Sequence, residues 1–243
     1  MQDYGPETYG DRIAGVYDSL YEDLLDTEAA VGTLARLAGA GPVLELAIGT
    51  GRLALPLAQR GLDVRGIDAS EEMVARLRAK AGGADLPVAM GDFADVDVEE
   101  SFSLVYIAFN TIFALLTQHD QVRCFRNVAG RLAAGGRFLV EAFVPDLARF
   151  DRGQRVGVTS VRLDQVDFEV SRHDAVNQRV DSQHIFVTEH GTQLYPVSLR
   201  YAFPSELDLM ARLAGLELQE RWAGWSEEPF TNSSTGHVSV YGS

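Results

Sequence analysis

The chain has almost no cysteine. Cys124 is the only one among 243 residues, so no disulfide can form within the chain. It lies in the segment QVRCFRNVAGRL, which has the apolar spacing of an amphipathic helix. Because no group that would activate a thiol is evident nearby, Cys124 is interpreted as a packed core side chain rather than a nucleophile.

Long apolar runs are also absent. No stretch approaches the roughly 18 residues of a membrane-spanning helix. The first residues, MQDYGPETYGDR, have neither the basic start nor the apolar centre of a signal peptide. With 46% hydrophobic and 23% charged residues, the composition is that of a soluble globular protein. We therefore expect a cytoplasmic protein that does not enter a membrane.

Basic residues are scarce relative to acidic ones. The chain has 21 Lys and Arg against 35 Asp and Glu, a formal net charge of −14. A domain this acidic repels phosphate backbones, and no basic stripe with interleaved aromatic residues offsets the charge, so no nucleic acid partner is expected. We expect a small substrate that is neutral or cationic. Spacings such as H-x-x-x-H or C-x-x-C are missing as well, and no metal is expected.

The first 145 residues contain a regular alternation of strands and helices. The predicted strands are PVLELA, DVRGID, LPVAMGD, FSLVYIAF and GRFLVEAFV, and the helices between them cover residues 52–60, 71–80 and 120–133. Two further helices, over residues 13–25 and 28–38, precede the first strand. Short apolar strands separated by helices predict a parallel sheet covered on both faces.

The pattern changes after Pro145. The segments VRLDQVDFEV, QRVDSQHIFVTEH and TQLYPVSLRYAF have period-two patterning, which predicts three antiparallel strands. A helix then starts at Pro204, and LELQERWAGW with HVSVYG completes the main sheet as an antiparallel hairpin. The predicted fold is a single α/β domain over residues 1–243, with a doubly wound, Rossmann-like sheet of seven strands, mostly parallel with the last antiparallel. A small antiparallel β insertion at residues 155–203 would form a substrate cover or the contact of a possible homodimer.

The chemistry is concentrated in residues 43–70, VLELAIGTGRLALPLAQRGLDVRGIDAS, which predict a strand, a glycine turn, a helix and a second strand. Gly49 and Gly51 let a ligand approach the backbone, and the N-terminus of the following helix offers unpaired N–H groups. Asp68, which ends the second strand, is placed to accept hydrogen bonds from a ribose diol. These features predict a cofactor with an adenosine group, either a dinucleotide or another kind.

Glu45 helps to distinguish between these cofactors. It lies inside an apolar strand, where an unpaired carboxylate would be costly. A dinucleotide would place its pyrophosphate here and would gain nothing from another anion, whereas a cofactor with an ammonium and a sulfonium group would be stabilised. A carboxylate that caps a neighbouring helix is the structural alternative.

Several segments together resemble a known family. LELAIGTG, Asp68, the GDF segment at residues 91–93 and YIAFNTIFALL are similar to the motif series of class I S-adenosylmethionine-dependent methyltransferases. The resemblance extends from about Tyr9 to Tyr241. One departure is Ala47, which stands where the motif E/D-x-G-x-G-x-G has its first glycine. The VYDSLY segment and the β insertion resemble small-molecule methyltransferases of bacterial natural-product pathways, including amino-sugar N-methyltransferases.

The resemblance implies S-adenosylmethionine as cofactor, S-adenosylhomocysteine as product and no metal. The residues that it places around the cofactor are Tyr17, Tyr21, Glu45, Ala47, Gly49, Gly51, Asp68, Ala69, Met73, Asp92, Phe93, Ala108, Phe109 and Asn110. Of these, the glycine turn and the AFN segment would surround the methionine end, Asp68 would bind the ribose, and the residues after it, with the GDF segment, would hold the adenine. The two tyrosines would close over the cofactor from an N-terminal helix. Ordinary packing is the alternative for Met73, Phe109 and both tyrosines.

Methyl transfer from a sulfonium is an in-line displacement to which an enzyme contributes mainly positioning and exclusion of water. A neutral amine acceptor needs no strong base, whereas a hydroxyl or a carbon acid benefits from one. The candidate bases are His119, in a helix-opening turn after the fourth strand, and His237, at the start of the last strand near the ligand-binding edge. An exposed capping-turn residue is the alternative for His119. His173, His184 and His190 belong to the insertion and are interpreted as surface or dimer-contact residues.

The same edge of the sheet supplies candidate substrate contacts. Glu141 lies near the end of the fifth strand, and the loop RWAGWSEEPFTNSS joins the last two strands. Trp222, Trp225 and Phe230 in this region are predicted to form an aromatic wall for a planar or sugar substrate. Core or interface packing explains these three aromatic residues equally well.

Two other functions are compatible with part of this pattern. An NAD(P)-dependent oxidoreductase would share the glycine turn and Asp68, but it leaves Glu45 unexplained, and after Lys80 the chain has no lysine for a catalytic Tyr-x-x-x-Lys. A non-catalytic S-adenosylmethionine-binding protein is the second. The expected function is an S-adenosylmethionine-dependent methyltransferase that acts on a small molecule in bacterial secondary metabolism, at an N or O acceptor.

Overall fold

The structure is a computed structural model that describes residues 1, 3–21 and 26–242. Its helices are α1 (Thr8–Ile13), α2 (Tyr17–Tyr21), α3 (Thr27–Ala38), α4 (Ala54–Gln59), α5 (Glu71–Arg78), α6 (Gln118–Ala129) and α7 (Pro204–Leu213). Its strands are β1 (Val43–Leu46), β2 (Val64–Asp68), β3 (Val88–Met90), β4 (Phe102–Ile107), β5 (Leu132–Phe143), β6 (Gln154–Val161), β7 (Gln165–Asp174), β8 (Arg179–Thr188), β9 (Gly191–Arg200), β10 (Glu217–Trp222) and β11 (Gly236–Gly242). Within the described ranges, no helix is both long and apolar enough to cross a membrane.

Seven strands form the main sheet, in the order β10-β11-β5-β4-β1-β2-β3. Strands β1 to β5 pair in parallel, and β11 runs antiparallel to both β5 and β10. The predicted fold class is therefore confirmed, with the antiparallel strand second from the edge. The carboxyl ends of the parallel strands meet at one edge of the sheet. Because Gly236 pairs with Phe143, β11 begins at that same edge, where ligands bind in such sheets.

The insertion is a separate antiparallel sheet in the order β6-β7-β8-β9. It has four strands, so the prediction of three was wrong. The predicted strand VRLDQVDFEV spans the turn between β6 and β7 instead of lying within one strand. This turn, at residues 162–164, contains neither glycine nor proline, and the single Asp164 is a weak turn signal.

Both faces of the main sheet are covered by apolar clusters. On the face covered by α6 and α7, Phe125 packs against Phe138 and Tyr241 in edge-to-face geometry. We call this the α6–α7 face. Cys124 is fully buried in the same cluster, and burial raises the pKa of its thiol, as expected of a core residue. On the opposite side, the α3–α4 face, Leu34 and other apolar side chains of α3 and α4 cover the strands.

The N-terminal segment was predicted to form one helix over residues 13–25. It forms two short helices instead, α1 and α2, separated by Ala14, Gly15 and Val16. Leu24 and Leu25 of the predicted helix lie outside the described residues. The two helices are held by a small apolar cluster in which Ile13 and Ala14 pack with Met73 of α5 and Tyr195 of β9. They therefore lie between the insertion and the strand edge that carries the predicted site.

Candidate functional site

The glycine turn after β1 uses its two glycines differently. Gly49 has φ +57°, and the nearest atom to a Cβ at this position would be the Ala47 carbonyl oxygen, 4.0 Å away. A ligand can therefore reach the backbone here. Gly51 has φ +78°, and a Cβ there would overlap the Leu77 side chain. Gly49 is thus free for ligand contact, while Gly51 allows the turn to pack against α5.

Ala47 adopts the left-handed conformation at φ +58°. This region favours glycine, because the Cβ of an L-residue crowds the backbone there. The departure from the family motif therefore matters through backbone strain rather than through the width of the pocket.

Asp68 connects the end of β2 to the glycine turn. Its Oδ2 accepts a hydrogen bond from the Gly49 N–H at 2.7 Å, and its Oδ1 accepts one from the Ser70 N–H at 2.8 Å. The residue is 7% exposed, and burial raises the pKa of the carboxyl despite these hydrogen bonds. Asp68 is thus held rigidly at the strand edge, and its contact with a ribose stays a prediction.

Glu45 is a buried carboxyl group whose hydrogen bonding is incomplete. It is 6% exposed, and its Oε2 has no hydrogen-bond partner among the described residues. Burial raises the pKa of Glu45 to about 8, and the neighbouring Tyr106 and Arg52 offset only part of this effect. The backbone of Ala54, at the start of α4, also lowers the pKa, so the helix-capping alternative is partly realised. An unsatisfied buried carboxyl on the strand that leads into the glycine turn fits a cofactor that carries an ammonium and a sulfonium group.

The sequence reasoning missed Arg52, the residue directly after Gly51. Its guanidinium donates to Thr27 Oγ1 at 3.1 Å, and its charge lowers the pKa of Glu45 and of Glu141. Arg52 is therefore a cation whose charge acts on the buried Glu45 and on the half-buried Glu141. Its place next to the glycine turn was the only signal in the sequence, and arginines in loops are common.

Helix α2, which carries Tyr17 and Tyr21, lies against the glycine turn and the AFN segment. The rings of Tyr17 and Tyr21 lie 4.9 Å apart, and Tyr21 packs edge-to-face on Phe109 at 4.8 Å. From the same helix, Asp18 accepts a hydrogen bond from Thr50 Oγ1 at 2.6 Å and pairs with Lys80 at 2.7 Å. The helix is thus attached to both the glycine turn and the AFN segment.

The AFN segment is held by Glu141. Phe109 and Asn110 are both in the left-handed region, with φ +53° and +64°. Glu141 accepts one hydrogen bond from the Phe109 N–H at 2.7 Å and another from Trp225 Nε1 at 2.8 Å. Both carboxylate oxygens are therefore engaged inside the protein. The structure places Glu141 as a support for the AFN segment, and its contact with a substrate stays a prediction.

The residues predicted around the adenine lie at the ends of β2 and β3. Met73 is buried against α1, so the packing alternative for this residue is realised. Phe93 is buried in the cluster of the α6–α7 face, whereas Ala108, which was predicted at the methionine end, is buried on the opposite side. Asp92 accepts from the Ala94 N–H at 2.9 Å and lies 3.4 Å from Arg123. Ala69, next to Asp68, is partly exposed, and the adenine contacts stay predictions.

The predicted aromatic wall does not form. Trp222 is 9% exposed and packs in the cluster of the α3–α4 face, under the Arg36 guanidinium at 5.9 Å. Trp225 is engaged with Glu141, and Phe230 lies 6.2 Å from the ring of His237. Trp222 and Trp225 thus belong to the cluster of the α3–α4 face, whereas Phe230 lies beside His237, so the three rings do not form one wall.

Neither candidate histidine is placed as a strong base. His119 is exposed in the first turn of α6, where the Thr117 side chain caps the helix. His237 is 1% exposed on the α6–α7 face, where its Nδ1 is 2.8 Å from Ser239 Oγ. Burial and then the charge of Arg221 lower the pKa of His237 to about 4. Within the described ranges, no cluster of three or more His, Cys, Asp or Glu side chains could hold a metal ion.

Comparisons with known proteins agree with this geometry. Residues 43–136 match a family described as Methyltransferase domain. The whole chain is similar to the CcbJ methyltransferase from Streptomyces caelestis: the solved structure is 43% identical, covers 98% of each chain and has a TM-score of 0.92. The cypemycin N-terminal methyltransferase from Streptomyces sp is 29% identical over 239 residues, which are 94% of this chain and 95% of that protein.

The fold also extends to more distant structures. SAM-bound CalS10, an amino pentose methyltransferase from Micromonospora echinaspora, has a TM-score of 0.68 over 93% of this chain and 96% of its own. Its sequence is 22% identical, so the likeness concerns the fold alone.

Proposed function

The chain belongs to the S-adenosylmethionine-dependent methyltransferases, and we propose that it methylates an amine of a small molecule in bacterial secondary metabolism. Its membership of this family excludes the oxidoreductase alternative and the alternative of a non-catalytic binding protein. The observation that carries the choice of an amine is the placement of the two candidate bases. His119 is exposed on α6, and His237 is buried with a pKa of about 4. A neutral amine needs neither of them.

S-adenosylmethionine, when bound, supplies a methyl group on a positively charged sulfur. Glu45 holds the positive end of the cofactor, since its buried carboxyl has an oxygen without a hydrogen-bond partner among the described residues. Asp68 orients the ribose, and the open side of Gly49 admits the methionine portion. Tyr17 and Tyr21 exclude water from the reacting atoms, so the enzyme acts mainly by positioning.

The relatives support an amine and a bacterial pathway. The cypemycin N-terminal methyltransferase is by its name a methyltransferase of an N-terminus, and it comes from Streptomyces. The CcbJ methyltransferase is also a Streptomyces protein.

Turnover with methyl-labelled S-adenosylmethionine tests this proposal. The acceptor panel pairs each amine with the alcohol that has oxygen in place of nitrogen, and rates are measured from pH 6 to 10. We expect amines to be methylated, with a rate that rises as the free amine loses its proton. The variants His119→Ala and His237→Gln should keep kcat within about threefold, whereas loss of a general base costs roughly 100- to 10,000-fold. Preferred methylation of the alcohols, or a loss of that size in either variant, would contradict the amine proposal.

A further inference from the structure

A cavity of about 250 Å³ separates the two sheets at the edge where the cofactor site lies. Asn110 and Phe143 border it from the main sheet, and the segment 145–150 closes one side. The remaining wall is one face of the four-stranded sheet. We call this space the inter-sheet cavity. Since Asn110 belongs to the AFN segment, the cavity adjoins the residues predicted around the methionine end of the cofactor.

The alternation of β8 and β9 builds the wall that the insertion contributes. Successive side chains of a strand point to opposite faces, so residues at spacing two share one face. Val180, Ser182 and His184 of β8 line the cavity in this way, as do Val197 and Leu199 of β9 and Tyr201, which directly follows β9. Further along the same face, Phe186 and Tyr195 pack on the N-terminal helices. One continuous face of the insertion therefore holds both the helical cover and the cavity.

Among the polar side chains that line the cavity, which also include Asp146, Arg149, Ser182 and Tyr201, Glu169 and His184 are direct cross-strand neighbours. Glu169 Oε1 is held by Arg149 at 3.1 Å and by Arg155 at 3.2 Å. Glu169 Oε2 makes no hydrogen bond with the described part of the chain and lies 3.9 Å from His184 Nε2. On the opposite wall, Asn110 Oδ1 accepts from the Phe143 N–H at 2.6 Å, which fixes the side-chain amide at the rim of the cavity.

We propose that the inter-sheet cavity is the acceptor subsite and that Glu169 and His184 select a hydroxylated amine. The carboxylate oxygen and the imidazole lie side by side and accept hydrogen bonds from N–H and O–H donors. Phe143, Val180 and Leu199 cover the apolar side of the same ligand. The net charge of −14 favours a neutral or cationic molecule. Because ligand pockets usually measure about 300–1,000 Å³, a cavity of this size holds one small ring or the end of a larger molecule.

This inference rests on the proposed methyltransferase function and replaces two interpretations. His184, taken from the sequence as a surface or dimer-contact residue, has a side chain that is only 31% exposed and faces the cavity. The substrate contacts predicted at Glu141 and in the tryptophan loop give way to residues of β7, β8 and β9.

Ligand-observed NMR on the complex with S-adenosylhomocysteine tests the cavity without knowledge of the natural acceptor. The probes are glucosamine and 1-deoxynojirimycin, which are hydroxylated amines. The matched compounds are cyclohexylamine and piperidine, which lack the hydroxyl groups, and glucose, which lacks the amine. The variant Val197→Trp fills the cavity from β9. Its control, Val187→Trp, places the same ring on the opposite face of β8, where Val187 is 39% exposed. His184→Phe keeps a ring but removes the hydrogen bond, and His190→Ala changes a histidine whose side chain is 88% exposed.

We expect the hydroxylated amines to bind the wild type more tightly than the matched compounds. Val197→Trp should weaken this binding at least tenfold and His184→Phe about fivefold. Val187→Trp and His190→Ala should bind the hydroxylated amines as tightly as the wild type. Every variant should bind S-adenosylhomocysteine with an affinity within twofold of the wild type, and this binding also shows that the variant folds. The proposal is overturned if no hydroxylated amine binds the wild type, or if Val197→Trp binds the hydroxylated amines as tightly as the wild type does.

Different results would refute the acceptor subsite and the methyltransferase function. Methylation of an acceptor from the panel at the same rate by wild type and Val197→Trp would keep the methyltransferase function and move the acceptor elsewhere. A wild-type protein that binds no S-adenosylhomocysteine would refute the function itself.

Discussion

The two sheets of this protein are stabilised in different ways. The seven-stranded sheet is covered by apolar clusters on both faces, and β1 is buried along its whole length. The four-stranded sheet leaves Val156, Val158 and Val161 of its edge strand more than 60% exposed. Its buried positions include polar side chains: Asp167, Ser171, Ser182, Ser198 and Arg200. The main sheet therefore gains most from the hydrophobic effect, and the insertion depends more on specific polar contacts.

The connection between the sheets shows this difference most directly. At the end of β9, Arg200 donates to Gln121 Oε1 at 2.5 Å and to Glu206 Oε1 at 2.7 Å. The Gln121 side chain in turn donates to the carbonyls of Ile112, Leu115 and Arg200. Hydrogen bonds and one ion pair thus orient the insertion over the site. The core that holds the cofactor and the wall proposed to hold the acceptor should be separable by mutation.

The largest effect is expected in the core of the main sheet. Phe125→Ala removes a fully buried ring between Phe138 and Tyr241 and should lower the free energy of unfolding by about 3–5 kcal/mol. Urea unfolding measures this change. The control Val158→Ala, on the exposed edge strand of the insertion, should change it by no more than about 0.5 kcal/mol. Equal effects of the two substitutions would remove the contrast between the sheets.

The polar connection should come next. Arg200→Met removes a charged side chain that is 5% exposed and should cost about 2–3 kcal/mol of unfolding free energy, because Gln121 and Glu206 lose a charge-assisted partner. Arg172→Met is the matched control. The Arg172 side chain is 77% exposed, and its ion pair with Asp181 is weak because the charged atoms are 3.9 Å apart at the surface. Calorimetry should show unchanged S-adenosylmethionine affinity in both variants. A loss of cofactor affinity in Arg200→Met would mean that the insertion also shapes the cofactor site.

Cofactor binding should depend on Glu45 of the main sheet. Because the pKa of Glu45 is about 8 in the free protein, the carboxyl is mostly protonated at pH 7, and a bound cation would favour its ionised form. Binding of S-adenosylmethionine at pH 7 should therefore release close to one proton, measured by calorimetry in buffers of different ionisation enthalpy. Glu45→Gln should abolish this release and weaken binding by about 1.5–3 kcal/mol.

The same group predicts how the stability of the free protein depends on pH. The folded pKa of about 8 lies above the ordinary value of 4.5. Between these values the folded state keeps a proton that the unfolded state has lost, so the contribution of Glu45 to stability falls as pH rises from 4.5 to 8. Urea unfolding of Glu45→Gln across this range should lack that decrease. If its pH dependence equals that of the wild type, Glu45 is not the buried titrating group.

The smallest effect is expected in the glycine turn. Ala47→Gly relieves the left-handed strain at φ +58° and should stabilise the protein by up to about 1 kcal/mol. Ala75→Gly, at an exposed position in the middle of α5, should instead destabilise it by about 0.5–1 kcal/mol. Thermal unfolding of both variants distinguishes the two signs. Destabilisation by both would show that Ala47 is not strained.

Local sequence patterns predicted the main sheet well and the insertion less well. The alternation of strand and helix, the final hairpin and the motif residues Glu45, Gly49 and Asp68 follow from signals within a few neighbouring residues. Strand β6 was missed because no glycine or proline marks its turn into β7. The single helix predicted at the N-terminus became two, because the chain turns at Ala14, Gly15 and Val16 to reach both the insertion and the glycine turn.

Side-chain roles were harder to predict than elements. Glu141, Trp222 and Trp225 were expected to face a substrate, yet the first supports the AFN segment and the tryptophans cover the sheet. The position of a residue in a strand does not by itself predict which helix or loop will contact its side chain. The contact of the insertion with a second copy of the chain stays a prediction, and the exposed valines of β6 are where it would lie.

The alternation of apolar runs and helices along the chain predicted the class of fold, and the resemblance of short motif segments indicated the family and its cofactor, because these signals lie within a few neighbouring residues. Strand register and packing between distant segments decide the pairing of Glu169 with His184, the effect of the Arg52 charge on Glu45 and Glu141, and the network around Arg200. Those relations exist only once the chain is folded, since burial and distance, not residue type, decide which polar groups remain free for a ligand.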